Sequence, residues 1–511
     1  MIYLVGSGPG DPGLFTVKGV RCLERADAVV YDRLAPESLL EYAPPEAERI
    51  YVGKQPGNPT MSQENINGLL VELGRAGKTV VRLKGGDPYV FGRGGEEALE
   101  LIEAGIPFEV VPGISSGVAA PAYAGIPVTH RGLSTSVAFI TGHEDPTKGS
   151  QDVDWNHLAN AADTLVLYMG LGRLDEISSE LISAGRDRGT PAACIRWGTL
   201  PDQRTVSGTL DDIAAKVAEA GLTPPAITVI GDVVSLRQEG LHWFETRPLF
   251  GRRLVVTRAR AQASDLSEMF AERGAQVIEF PTLEIQPPQD FAPMDKAIHE
   301  LDSFDWIIFT SVNGVEAFFE RLAYHGSDSR ALPRNAKIAA IGPATADSIR
   351  SNGLTVDVVP SEYRAEALLE EISADSIVGK RVLIPRAKVA REILPENLRE
   401  AGAEVVVPPA YEAVADSKGK GSLVSCLEKT EVDCVTFTAS STVENFVTVL
   451  GAEETARLLE GIRVACIGPI TAETARGYGL HVDAEAAEYT MPGLVEAVVG
   501  LFTAEPVEKD G

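Results

Sequence analysis

Between Arg82 and Glu97 the chain reads RLKGGDPYVFGRGGEE, with glycine at 85, 86, 92, 94 and 95. Each glycine costs regular structure about 0.5–1 kcal/mol relative to alanine, so this density implies backbone that must approach something closely. A second glycine-rich stretch, GSGPGDPG, opens the chain directly after a β-rich run. It departs from a dinucleotide fingerprint: Pro9 removes a donor N–H, and Asp11 adds negative charge where a pyrophosphate would sit. A neutral or cationic cofactor suits it better, unless it is simply a tight strand-to-helix turn. Asp32 ends the run DAVVYD, which puts a carboxylate at a strand mouth, able to take a proton there, to cap a helix or to pair with Arg33. Arg93 and Glu96 stand three apart at a helix start, as a carboxylate-binding guanidinium or as an internal pair.

The elements that must position these groups alternate along the first half. Short β-rich runs (IYLVG, DAVVYD, TVVRLKGG, FEVVPG, SVAFITG, DTLVLYMG, AACIRWGT, AITVIGDVV) are separated by helical stretches and punctuated by Gly or Pro. This is an α/β pattern, in which ligands gather at the carboxyl ends of strands. The texture changes near LHWFETRPLFGRRLVVTR, which sets a boundary at about residue 247. Beyond it the chain repeats itself: GRRLVVTR and FTSVNGVEAF recur as GKRVLIPR and FTASSTVENF at an offset of 128, placing Arg258 opposite Arg386. IAAIGPATA recurs as VACIGPITA at an offset of 126, which also brings Tyr363 opposite Tyr489. A period this long means a duplicated domain of two similar lobes, with a ligand cleft expected between them.

These motifs, continued through VPGISSGVAAPAYAGIPVTHRG, LVLYMG and PAITVIGDVV, resemble the tetrapyrrole methylase family and, within it, uroporphyrinogen-III C-methyltransferases. The resemblance implies a two-lobed methylase fold over residues 1–247, acting with S-adenosylmethionine. Pro9, Gly85, Gly86, Asp87, Val90, Ser115, Ser116, Met169, Gly198, Ala226 and Thr228 match positions lining the cofactor pocket. Asp32 and Lys54 match the proposed proton acceptor and donor. Arg93, Glu96 and Arg131 match positions facing the tetrapyrrole, whose eight carboxylates call for guanidinium forks. His143 is left without a role. The repeated half, with FTSVNGV, AAIGPATA, PPAYEAV and CIGPITAE, resembles uroporphyrinogen-III synthase. The implied fold for residues 248–511 is a duplicated, two-lobed α/β domain with a cleft between its lobes. Its implied reaction folds hydroxymethylbilane into uroporphyrinogen III with inversion of the last ring, using no cofactor. Tyr411 matches the tyrosine proposed to assist loss of the hydroxyl, against the alternative of a half-buried strand tyrosine. Ser311, Asn313, Thr345, Ser440, Ser441 and Thr471, with the N–H groups after Gly342 and Gly468, offer carboxylate donors or helix caps. Two rivals stay open: a methylase for a later corrin intermediate, and a C-terminal tetrapyrrole sensor without turnover.

Bulk properties agree. A chain of 511 residues suggests three or four compact units at roughly 150 residues each. Its net charge of -27 argues against nucleic acid as a partner, so a polyanionic substrate must be held by a few placed arginines. Five cysteines without a C-x-x-C spacing disfavour a metal site or a disulfide framework. No apolar run reaches the roughly 20 residues of a membrane span and no signal peptide is read, so a cytoplasmic protein is expected, paired as a homodimer through its methyltransferase half.

Overall fold

The computed structural model describes residues 1–53, 61–142, 153–257, 260–281, 283–360, 365–372, 377–390, 392–415, 420–429 and 431–503. Lys54, His143, Arg258 and Tyr363 lie outside them. The chain divides into two compact units: residues 1–253 with 270–276 and 502–511, and residues 254–269 with 277–501. Among the described residues, no helix is long and apolar enough to cross a membrane and no cluster of side chains is spaced to hold a metal ion.

The first unit carries two five-stranded sheets. Strands β1 (Ile2–Gly6), β2 (Ala28–Tyr31), β3 (Glu48–Tyr51), β4 (Val80–Lys84) and β5 (Phe108–Val111) lie in the order β3-β2-β4-β1-β5. Every pair is parallel, so all five carboxyl ends reach one edge. β1, β2 and β4 are buried on both faces, as continuous apolar runs such as AVVY and VVRLK require. The second sheet holds β6 (Val137–Thr141), β7 (Thr164–Tyr168), β8 (Pro191–Arg196), β9 (Arg204–Thr209) and β10 (Ala226–Ile230), in the order β6-β7-β10-β8-β9. Here β10 runs antiparallel to β7 and β8, so its start meets their ends and Ala226 lies opposite Arg196. All eight runs expected from sequence form strands; β3 and β9 are additional, and both stand at sheet edges.

In the second unit the repeated segments fold into two similar sheets, but each sheet draws on both copies. β11 (Arg253–Val256) and β12 (Gln276–Glu279) belong to the first copy. They share the sheet β12-β11-β20-β21-β22 with β20 (Cys434–Phe437), β21 (Arg463–Cys466) and β22 (Ala484–Glu485) of the second. Conversely β14 (Trp306–Phe309) and β15 (Lys337–Ala340) of the first copy pair with β16 (Arg381–Leu383) and β18 (Glu404–Val406) of the second, in the order β15-β14-β16-β18. The equivalent strands β13 (Leu283–Gln286) and β19 (Pro409–Ala415) pair antiparallel, beside the short β17 (Arg386–Ala387).

Candidate functional site

A cavity of about 530 Å³ opens in the first unit, within the size range of small-molecule sites. Its walls come from the loops after β1 (Gly8–Gly10), β2 (Arg33–Pro36) and β4 (Gly85–Gly92), and from Ser115 and Ser116 after β5. The second sheet contributes Tyr168 and Met169, Trp197 and Gly198, and the segment Pro224–Ile227. This is the strand edge at which an open α/β sheet binds ligands.

The glycine loops are tied together backbone to backbone. Gly86 N–H donates to the Gly8 carbonyl at 2.7 Å, and Gly8 N–H returns a bond to the Gly86 carbonyl at 3.2 Å. A Cβ on Gly113 would stand 2.2 Å from the Gly86 oxygen, and one on Gly6 would stand 2.5 Å from it. Gly86 itself has φ +68°, and a Cβ there would meet nothing nearer than Ser115 and Ser116 at 3.9 Å, entering the gap between the turn and the helix Ser116–Tyr123. Among the described residues, the non-glycine residues with positive φ are Phe91, Arg93, Met169, Trp197 and Thr199. Phe91, Met169 and Trp197 line the cavity, so the backbone strain of the chain collects where a ligand would lie.

Of the residues expected at a cofactor pocket, Pro9, Gly85, Gly86, Val90, Ser115, Ser116, Met169, Gly198 and Ala226 line this cavity. Asp87 and Thr228 are not among its lining residues. The Asp87 carboxylate accepts from Tyr89 N–H at 2.8 Å and Gly113 N–H at 3.0 Å, holding the GGDP turn, while buried Thr228 reaches Cys194 Sγ at 3.1 Å. Sequence reasoning passed over Tyr168, whose hydroxyl bonds Ser115 Oγ at 2.6 Å and accepts from Gly117 N–H at 2.8 Å; its desolvation pushes the phenol above its ordinary range. Trp197 and the Pro224–Pro225 wall were also passed over. Asp11 is not among the lining residues; its carboxylate takes the Tyr123 hydroxyl at 2.7 Å and Gly13 N–H at 2.8 Å.

Asp32 sits at the mouth of β2. One oxygen accepts from Leu34 N–H at 3.1 Å, and the other takes Arg82, not Arg33, at 3.1 Å. Arg93 and Glu96 form an exposed two-point pair at 2.9 and 2.8 Å, which raises the guanidinium above its ordinary range and lowers the carboxyl. They flank a recess beside the cavity, bordered by Tyr89, Phe91 and Met169. Arg131 is exposed and makes no ion pair among the described residues.

In the second unit Tyr411 is buried in the apolar cluster around Phe309 and Phe318, and its hydroxyl meets Ser311 Oγ at 3.1 Å. Ser311 in turn caps the helix Val312–Tyr324 through Gly314 N–H at 3.1 Å. Thr345 and Thr471 are buried within their helices, while at the start of Ser440–Leu450 Ser441 is exposed and Ser440 is half-buried, taking the Thr474 hydroxyl at 2.8 Å. Asn313 lies in the first turn of the helix that Ser311 caps.

A glycine-walled cavity at the carboxyl edge of a parallel sheet, closed by a second sheet, defines the first unit as a small-molecule-binding protein of the α/β class. Residues 1–214 match the family Tetrapyrrole (Corrin/Porphyrin) Methylases, and residues 264–496 match Uroporphyrinogen-III synthase HemD. The chain is similar to the porphyrin biosynthesis protein HemD of Ruminiclostridium josui, at 38% identity over 94% of both chains. It is also similar to an S-adenosyl-L-methionine-dependent uroporphyrinogen III methyltransferase of Methanosarcina barkeri, at 54% identity over 46% of this chain and 92% of that one. A solved uroporphyrin-III C-methyl transferase from Thermus thermophilus, complexed with S-adenyl homocysteine, shares 42% identity over 46% of this chain and 99% of its own, with a TM-score of 0.40. The chain therefore belongs to the tetrapyrrole methylases joined in one polypeptide to uroporphyrinogen-III synthase, and is a bifunctional enzyme of tetrapyrrole biosynthesis.

Proposed function

We propose that residues 248–511 convert hydroxymethylbilane to uroporphyrinogen III, and that residues 1–247 transfer two methyl groups to that product to give precorrin-2. The observation that carries the reading is the strained, glycine-walled cavity at the strand ends of the first unit. Its residues suit S-adenosylmethionine: the second-sheet wall is mostly apolar, and Gly86 leaves a gap that a side chain would fill. Pro9, Gly85, Gly86, Val90, Ser115, Ser116, Met169, Gly198 and Ala226 would hold it, with Asp87 and Thr228 supporting the wall. S-adenosylmethionine supplies an electrophilic methyl group to a nucleophilic ring carbon.

A methylated pyrrole carbon carries positive charge that is discharged by losing a proton, and Asp32 is assigned as the acceptor. Lys54, outside the described residues, is assigned as donor on the family resemblance. Arg93, Glu96 and Arg131 are assigned to the substrate, the two arginines taking its carboxylates. In the second unit the task is to position the last ring and support the departing hydroxyl, which needs hydrogen-bond donors more than a nucleophile. Tyr411, held by Ser311, is assigned there. Pairing of two copies through the first unit belongs to the same reading and is read out by sedimentation.

The test gives the purified chain hydroxymethylbilane and S-adenosylmethionine and weighs the products. Uroporphyrinogen III and its dimethylated form are expected. A folded C-terminal fragment yielding only the unrearranged type I isomer, while methylation of supplied type III persists, would convert the second unit into a sensor.

A further inference from the structure

Behind Asp32 lies a chain of charges that the reading above leaves without a role. Arg82 Nη2 donates to Asp32 at 3.1 Å, and Arg82 Nε donates to Glu97 Oε1 at 3.2 Å. Lys84 Nζ reaches the same Glu97 oxygen at 2.7 Å, and Gln63 Nε2 reaches it at 3.3 Å. The Glu97 side chain is 0% exposed, and those of Arg82 and Lys84 are 4% exposed. With all four ionised, the set is neutral.

Two features separate this set from a plain structural ion pair. The second oxygen of Glu97 is buried with no hydrogen-bond partner, an arrangement that costs stability. The chain of contacts also ends on Asp32, whose side chain is 27% exposed beside the cavity loop. Burial and the neighbouring Arg82 pull the Lys84 ammonium below its ordinary range, while Glu97 opposes them. Among the described residues the charged side chain in contact with Asp32 is Arg82 on β4; Lys84, also on β4, senses the Asp32 charge, and Glu97 on the helix Gly94–Glu103 meets both cations. Arg33 follows it in the chain, and Tyr31 and Tyr51 are its titratable neighbours on β2 and β3.

We propose that Glu97 is a positioning residue for methyl transfer: by drawing Arg82 and Lys84 onto one oxygen it limits how tightly Arg82 holds Asp32, and so sets the pH range in which Asp32 accepts a proton. The inference rests on Asp32 being the base. Removing the Glu97 charge leaves Arg82 to pair with Asp32 alone, which deepens its stabilisation as an anion and makes it a weaker base. Removing the Lys84 charge leaves Arg82 shared between two anions and makes Asp32 a stronger base. A charge within about 4–6 Å moves a carboxylate by roughly 1–3 pH units, and a charge relayed through Arg82 should act at the lower end.

The test follows the kcat of methyl transfer to uroporphyrinogen III against pH in the full chain. Glu97→Gln should move the acid limb down by about one pH unit with a several-fold lower plateau. Lys84→Met should move the limb up by a similar amount, and the double variant should restore its wild-type position. A merely structural role would lower the rate in all three without opposed shifts. Single variants whose limbs move together, or not at all, overturn the proposal. If a single variant fails to fold, the neutral double variant decides: a limb displaced from the wild-type position overturns it. Asp32→Asn is run alongside. A limb that survives it removes the base assignment, whereas a limb lost in Asp32→Asn but unmoved in Glu97→Gln overturns the role of Glu97 alone.

Discussion

Adding one methyl group at Gly113 tests whether the contact among the three glycine loops builds the cavity. The backbone at Gly113 is not in the left-handed region, so alanine carries no conformational penalty there and the effect is purely steric. Its Cβ would stand 2.2 Å from the Gly86 oxygen and 2.8 Å from Gly6 Cα, against an ordinary contact of 3.4 Å or more. Both neighbours are backbone, so the GGDP turn must retreat by more than an ångström. That retreat strains the paired bonds between Gly8 and Gly86, each worth about 0.5–1.5 kcal/mol. Overpacking of this kind costs about 1–3 kcal/mol, which for a unit of this size lowers Tm by roughly 2–10 °C. Displacing the turn should also weaken S-adenosylmethionine binding at least tenfold, about 1.4 kcal/mol. Gly95→Ala is the control, because a Cβ there meets nothing within 4 Å; it should leave affinity unchanged and be neutral or stabilising by about 0.5–1 kcal/mol. Calorimetry and thermal melts read both. Gly113→Ala binding the cofactor within twofold of wild type at unchanged Tm would refute the reasoning, as would equal damage from Gly95→Ala.

Removing Arg93 or Arg131 should raise the KM for uroporphyrinogen III roughly tenfold or more, the value of one charge-assisted contact, and leave cofactor affinity alone. The reverse pattern in steady-state kinetics would move these residues to the cofactor. Tyr411→Phe loses one bond to Ser311, worth about 0.5–1.5 kcal/mol, so the second unit should stay folded while chromatography finds type I isomer accumulating. Arg321 and His325 hold the Asp295 carboxyl well below the usual carboxylate range. A depressed folded-state pKa contributes stability that is complete above the unfolded value of about 3.9 and is lost as pH falls through the folded one. The stability gap between wild type and Asp295→Asn should therefore be full at pH 6 and close progressively below about pH 4, as followed by chemical denaturation.

How far the sequence reaches depends on which signal an element carries. β1, β2 and β4 announce themselves because both faces are buried and their apolar runs are unbroken. The edge strands β3 (ERIY) and β9 (RTVSGT) stay hidden because half-exposed strands carry charges and small polar residues that read as loop. At the site, glycine density marks the cradle, since backbone crowding leaves a trace in residue type. Tyr168 and Trp197 leave no such trace: an aromatic residue at a strand end is equally at home in a core, and only the fold turns these two toward the cavity. Asp32 is visible as a strand-end carboxylate, but its partner is not. Arg82 is 50 positions away and reaches it because β2 and β4 are neighbours in the sheet, whereas the adjacent Arg33 points into the cavity wall.

The exchange of strands between the two repeats also dictates when each sheet of the second unit can form as the chain leaves the ribosome. The sheet built from β14, β15, β16 and β18 is complete once residue 406 has emerged, because all its strands lie between residues 306 and 406. β11 must wait. Its partner is β20, and the bond from Thr436 Oγ1 to the Val255 carbonyl spans 181 positions. At roughly 5–20 residues per second, this strand is without its neighbour for on the order of 10–40 s. During that interval an apolar edge with both faces destined for burial is open to other chains, and loop closure adds its entropic cost before the pair can form. A ribosome that stops short of residue 434 thus releases a polypeptide with one finished sheet and a sticky remnant of the other, a natural substrate for chaperones and proteases.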